Sequence, residues 1–320
     1  MPGSQDNVAI DLPNGFQPSS RDGQGNLDGY ALRNVDQAEL DDRLSESIRR
    51  RVEAGNLVLP QLPETALKIM ELLGDANADI EDIEEVIETD PSLCGEVLRL
   101  ASSPLYGAPM SLRTVGDAVR RVGFRGLRGL VLALSFKGTV FRDRRLVKYA
   151  SEVWRQARSV GEMGRAVAPM FGLEPAEAFL LALLSDIGKV AMMDLLSQEI
   201  QRDGTLMDLV HTGLVGDALY RNHEMVGGAM AEDWGLSADL VSVASCHHRY
   251  YENDEHPRQA AFVSFIHRLD LYLSEADEEA FLGAAKATEL DFVGLSVSDR
   301  GRILSTAYEA FRSLHCQTVG

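Results

Sequence analysis

The spacing of the apolar residues constrains this chain most, because it is helical almost from one end to the other. Ala66, Ile69, Met70 and Leu73 fall at i, i+3, i+4 and i+7 behind Pro63, a residue suited to a first helical turn. Ile80, Ile83 and Ile87 repeat the period until Asp90 and Pro91 break it, and Leu93, Val97, Leu100 and Ala101 form the next stripe. Thr114 stands as an N-cap before Val115, Ala118, Val119 and Val122, and beyond Gly123 come Leu127, Leu130, Val131 and Leu134. Downstream the spacing predicts longer helices over 146–167, from Pro175 to about 186, around His223 up to Trp234 and Gly235, after Ser237 through His247 and His248, over 259–273 and over 298–314. No sustained alternation of β-branched residues bounded by turns interrupts this series, so the fold class is all-α.

A chain of 320 residues exceeds the size at which a single core stops growing, and 45% hydrophobic residues supply enough apolar surface for two lobes. Positions 138–145 carry little apolar period, which places the boundary at 143/144. The expected organisation is a disordered tail over 1–44, rich in Gly, Asn, Asp, Gln and Ser, then an amino-terminal helical lobe over 45–143 and a second lobe over 144–320. Cys94, Cys246 and Cys316 are widely spaced and form no C-x-x-C pattern, which argues against a disulfide framework or zinc knuckle and for a reducing compartment. No apolar run reaches the roughly 18 residues of a membrane span, and the first ten residues are not a signal peptide, so the expected location is the cytoplasm.

A formal net charge of −18 argues against duplex nucleic acid as the partner. The charge is uneven, however. Arg120, Arg121, Arg125, Arg128, Lys137, Arg142, Arg144, Arg145 and Lys148 crowd one segment against the single acid Asp143. They either present a face that docks an acidic protein or a phosphate-bearing ligand, or are neutralised within the lobe by the eight acids between positions 75 and 90. Gly123, Gly126 and Gly129 match no nucleotide fingerprint, and close helix packing explains them better; Trp154 and Trp234 lie in helical stripes and read as core.

Chemistry concentrates in the second lobe, in Ser185-Asp186-Ile187-Gly188-Lys189, His223-Glu224, His247-His248 and His267-x-x-Asp270. A helical bundle can aim imidazoles and carboxylates from several helices into one cavity, and an Asp with three histidines suits a first-row metal. With LPQLPETALKIMELL, VIETDPSL, LRLASSPLYG and VGFRGLRGLVLAL before that constellation, and VWRQARSV, FLLALLSDIGKV, NHEMVGGAMAEDWGL and FIHRLDLYL through it, the chain resembles the HDOD domain, the HD-related output domain of bacterial signalling proteins, over about residues 50–285.

The resemblance implies a signal-transduction output or adaptor protein. HD and HD-GYP phosphohydrolases carry a His where this chain has Gln156 and a His-Asp pair where it has Ser185-Asp186, so two nominal first-metal ligands are replaced. Without a metal to activate water, phosphodiester hydrolysis loses its nucleophile and its main charge stabilisation together. The expectation is therefore no catalysis and no cofactor, with Asp186, Lys189, His223, His247, His248 and Asp270 as a vestigial site read as a buried, hydrogen-bonded polar cluster. Lys189 reads as an ion-pair partner of Asp186, and Asp270 as a cap or as a partner of His267 or an Arg. Function then rests on contacts with other signalling proteins, and Arg120, Arg121, Arg125, Arg128, Arg142, Arg144 and Arg145 are the candidate contact residues. A mononuclear metal phosphohydrolase and a non-cleaving sensor of a nucleotide second messenger remain the alternatives.

Overall fold

Proline, glycine and capping carboxylates divide the helical stripes where the local chemistry demands. In a computed structural model, which describes residues 46, 49–51, 54, 59–102, 112, 114–140, 143–202 and 215–316, α1 (Glu64–Gly74) begins directly after Pro63. Helix α2 (Ile80–Glu88) starts at a capping box in which the Asp79 side chain accepts from the Asp82 amide and the Asp82 carboxylate accepts from the Asp79 amide. Pro91 opens α3 (Pro91–Ala101), with Asp90 accepting from the Leu93 amide. Thr114 and Asp117 make the same reciprocal bonds before α4 (Val115–Val140). At Gly123 the backbone leaves helical geometry with φ 67° and ψ 169°, a region favouring glycine, so α4 is two helices joined at a kink where the sequence places a break.

The remaining elements are α5 (Val147–Val167), α6 (Pro175–Leu184), α7 (Ile187–Arg202), α8 (Val215–Asp233), α9 (Ala238–Cys246), α10 (Pro257–Ser274), α11 (Glu278–Gly283), α12 (Thr288–Phe292) and α13 (Val297–Cys316). No strand occurs among the described residues, and none of their helices is long and apolar enough to cross a membrane. Helices α7, α11 and α12 are additions to the sequence expectation. Helix α7 escapes it because it is buried nearly all round and so carries no one-sided stripe. Two boundaries also move: α9 stops at Cys246, leaving His247 and His248 just beyond its end, and Ser237 precedes α9 in extended conformation without a side-chain capping bond. The expected tail over 1–44 and Arg142 lie outside the described residues.

One continuous apolar core runs from Leu62 to Tyr308. Helix α6 sits at its centre, with every residue from Ala178 to Leu184 buried, and its carboxyl end delivers Ser185 and Asp186 into the interior. The α7–α8 contact is the most extensive helix pairing, and glycine makes its closeness possible. A Cβ built on Gly188 would stand 1.9 Å from the His223 carbonyl oxygen, and one on Gly227 would stand 2.6 Å from the Ala244 carbonyl oxygen. Helices α7, α8 and α9 therefore stack at backbone distance, which brings residues remote in sequence onto one point.

Candidate metal centre

That point is Asp186, 2% exposed, between the end of α6 and the start of α7. Its two carboxylate oxygens face different surroundings. On one side Oδ1 meets His223 Nε2 of α8 at 3.2 Å and His247 Nε2 at 3.6 Å. His223 Nδ1 lies 2.7 Å from the Tyr220 carbonyl oxygen and His247 Nδ1 lies 3.0 Å from the Val243 carbonyl oxygen. A carbonyl oxygen only accepts, so each Nδ1 carries a proton, and in the neutral ring each Nε2 presents a bare lone pair. Asp186 Oδ1, His223 Nε2, His247 Nε2 and His248 Nε2 are all buried without a hydrogen-bond partner, and one ligand atom from each residue falls within 4.8 Å of the others.

Four unpartnered polar atoms converging in a buried space are costly unless a cation or protons lie between them. A second proton is disfavoured on two of the rings: burial pushes His223 down to about 3, against the pull of Asp186, and burial also pushes His248 far down. Burial raises Asp186, but its surroundings, the Lys189 ammonium foremost, outweigh it and hold the carboxyl well below its ordinary value. Neutral imidazoles and an ionised carboxylate are the forms that bind metal. Tetrahedral coordination with bonds of about 2.0–2.1 Å separates ligand atoms by about 3.4 Å, so an N3O set at these spacings fits a single first-row divalent ion. The second layer fits as well. Glu224 Oε1 lies 3.8 Å from His247 Nδ1 and accepts the His248 amide at 2.7 Å, tying both histidines to α8.

On the other side, the chain supplies its own cations. Lys189 Nζ donates to Asp186 Oδ2 at 2.6 Å and to Gln156 Oε1 of α5 at 3.0 Å. Ser185 Oγ lies 2.9 Å from His267 Nε2, and burial pushes His267 down to about 3. Asp270 of α10, 1% exposed, pairs with Arg155 at 3.2 Å and stands outside the converging set. Gln156 and Ser185, the two positions where the resemblance to HD enzymes implies a first-metal histidine, are thus each engaged by a protein group, and so is Asp270. A cleft of about 470 Å3 opens over the site, with Gln156, Lys189, His248 and His267 on its floor and the exposed Tyr220 at its rim.

The structure therefore brings together Asp186, Lys189, His223, His247 and His248 and sets Asp270 apart. Sequence reasoning missed the positioning role of Glu224, although it adjoins His223; the expected arginine partner of Asp270 is Arg155, an identity that no spacing reveals. Of the basic candidates, Arg120 pairs with Glu81 at 3.8 Å, Arg125 with Glu177 at 3.2 Å and Arg145 with Asp143 at 2.6 Å. Arg145 also donates to the Ser197 carbonyl and hydroxyl. Among these pairs only Arg120 reaches the acidic stretch between positions 75 and 90. Arg144 is exposed, and Arg121 and Arg128 are partly buried on α4.

The HDOD domain family model matches residues 59–250. An uncharacterized protein of Treponema pallidum is 26% identical over 227 residues, covering 68% of this chain; the match spans 42% of that relative's length. A candidate metal-dependent phosphohydrolase from Shewanella amazonensis superposes with a TM-score of 0.68 at 17% identity, covering 86% of this chain and 99% of its own. An HDOD domain protein of unknown function from Geobacter sulfurreducens gives 0.63 at 20% identity over 87% and 97%. A candidate signal transduction protein from Marinobacter aquaeolei gives 0.56 at 21% identity over 88% and 66%. At these identities the likeness shows the fold.

Proposed function

The chain belongs to the HDOD domain family, and from that membership and the geometry of its site we propose a signal-transduction output protein that acts by contacting another protein. Its HD-like centre holds one divalent metal and does not hydrolyse phosphodiesters. The observation that carries this reading is the division of the site about Asp186. On the Oδ1 side four buried donors converge without partners; on the Oδ2 side Lys189 joins Asp186 to Gln156.

Asp186, His223, His247 and His248 would hold the metal, leaving Lys189 as the second positive charge. In a hydrolase the ion supplies a water of lowered pKa and polarises the phosphoryl group. Here the protein offers a full set of four ligands, the closed arrangement typical of structural sites, and fixes an ammonium where a second ion would be needed. The ion's part is then to stabilise the junction of α6, α7, α8 and α9, which supports a contact surface. This departs from the sequence expectation of a metal-free cluster and adopts the single ion that the alternatives retained.

Two measurements test the reading. Zinc- or manganese-loaded protein should release no more nitrophenol from bis(p-nitrophenyl) phosphate, and no more product from a cyclic dinucleotide, than metal alone. A protein captured from lysate should rebind when both components are purified and mixed. Turnover abolished by His223→Ala, with no reconstituted complex, would establish a phosphohydrolase instead.

A further inference from the structure

Around one recess, cations outnumber acids. Arg99 of α3, Lys137 of α4, and Arg158 and Arg165 of α5 line a cavity of about 120 Å3 walled by Trp154 and Phe179. Two acids answer these four cations. Glu96 accepts from Arg99 and stands 3.6 Å from Lys137 Nζ, and Glu162 faces Arg165 at 3.5 Å. The Arg165 guanidinium lies over the Phe179 ring at 4.2 Å, which fixes it as part of the wall. Arg99 and Arg158 are exposed, Lys137 is half-buried, and Trp154 is half-buried against Phe136. The recess thus combines a net positive lining with an aromatic floor, on a chain whose formal net charge is −18.

We propose that this recess docks an acidic peptide segment of a partner protein, with a carboxylate entering between Lys137 and Arg158 and an apolar neighbour covering Trp154. The proposal deepens the reading of function by protein contact and rests on it. Charge complementarity selects the occupant. At physiological ionic strength fields decay over about 8 Å, so a short acidic segment feels the local patch, whereas a long polyanion or an anionic membrane extends beyond it and meets a chain whose formal net charge is −18. Arginine and tryptophan are also the side chains that most often anchor protein contacts. The recess draws on α3 and α4, which precede position 143, and on α5 and α6, which follow it, so its occupant bridges both parts of the chain.

Fluorescence anisotropy with the full chain tests this. The probe is a fluorescein-labelled ten-residue peptide of Glu and Asp with two central leucines, compared with a Lys-rich peptide and a ten-nucleotide single-stranded DNA. The acidic peptide should bind, and binding should weaken about tenfold or more in the double variant Lys137→Glu with Arg158→Glu. The neutral pair Lys137→Gln with Arg158→Gln, which creates no new repulsion with Glu96 or Glu162, should weaken it by about threefold or more, and Arg302→Glu, exposed on α13, should leave it unchanged. Three results would each overturn the proposal: no binding of the acidic peptide at low salt, undiminished binding by a folded neutral variant, or DNA binding as tight as the peptide's. None of them touches the broader reading, because reconstitution with a captured partner scores that separately and would place contact on another face.

Discussion

A single methyl group at Gly188 should damage both the fold and the metal centre. In Gly188→Ala the added carbon would lie 1.9 Å from the His223 carbonyl oxygen and 2.8 Å from the Gly227 nitrogen. Comfortable carbon contacts begin at about 3.5 Å, so α7 and α8 must separate by about 1.5 Å. Both obstructing atoms are backbone, and no side-chain rotamer can relieve the clash. Overpacking a core costs about 1–3 kcal/mol, and a backbone-to-backbone contact belongs at the upper end, near 3 kcal/mol. For a domain of this size that corresponds to a fall in melting temperature of roughly 6–12 °C. The same displacement moves His223 relative to Asp186 Oδ1, now 3.2 Å away. Metal–ligand distances tolerate about 0.2 Å, so zinc affinity should fall about tenfold or more. Urea unfolding of the metal-free protein and calorimetric zinc titration read the two effects. A variant within about 0.5 kcal/mol of wild type that binds zinc with unchanged affinity would refute the claim that this helix crossing sets the site.

Lys189→Met should cost the metal-free protein about 3–5 kcal/mol, because it leaves Asp186 Oδ2 buried without its ammonium, and saturating zinc should recover most of the loss. Urea unfolding with and without zinc checks this, and equal losses under both conditions would count against a shared role of Lys189 and the metal. Hydrogen bonds from the Arg145 guanidinium, opposed by burial and reinforced by Ser197, hold Asp143 far below the usual carboxylate range. Asp143→Asn should therefore cost about 1–2 kcal/mol at pH 7. Because a depressed carboxyl stabilises the fold above its unfolded value near 3.8 and loses that contribution as pH falls toward its folded one, the gap to wild type should close below about pH 4 in acid titrations of stability.

How much of this was legible in the sequence follows from which forces are local. The break at Gly123, the cap at Thr114 and the start of α6 at Pro175 depend on neighbours within four residues, and each occurs where the sequence places it. Helix α7, beyond the predicted end near 186, went unread because it is buried on nearly all sides and carries no one-sided apolar stripe. For the site, histidine and aspartate identities were enough to collect Asp186, His223, His247 and His248, which converge as the motif order implies. What the sequence could not supply was the state of the ring nitrogens. The lone pairs of His223 and His247 point inward only because Tyr220 and Val243 carbonyls take the Nδ1 protons. Nor could it assign Arg155 to Asp270 or Lys189 to Gln156, since these pairs join different helices. Charge counts alone also offered the stretch between positions 75 and 90 as the counterweight to the basic segment; Arg120 meets it at Glu81, whereas Arg125, Lys137 and Arg145 pair with Glu177, Glu96 and Asp143.

The most direct test of the divided site is its metal stoichiometry. Protein purified without chelators from zinc- and manganese-supplemented cultures, desalted and measured by elemental analysis should carry about one divalent ion per chain. Combined replacement of His223 and His247 by Ala should remove it, and Asp270→Asn should leave it in place. Metal-free wild-type protein that stays so through zinc titration, or a stoichiometry of two, would contradict the assignment of one ion to the Oδ1 side of Asp186 and an ammonium to the other.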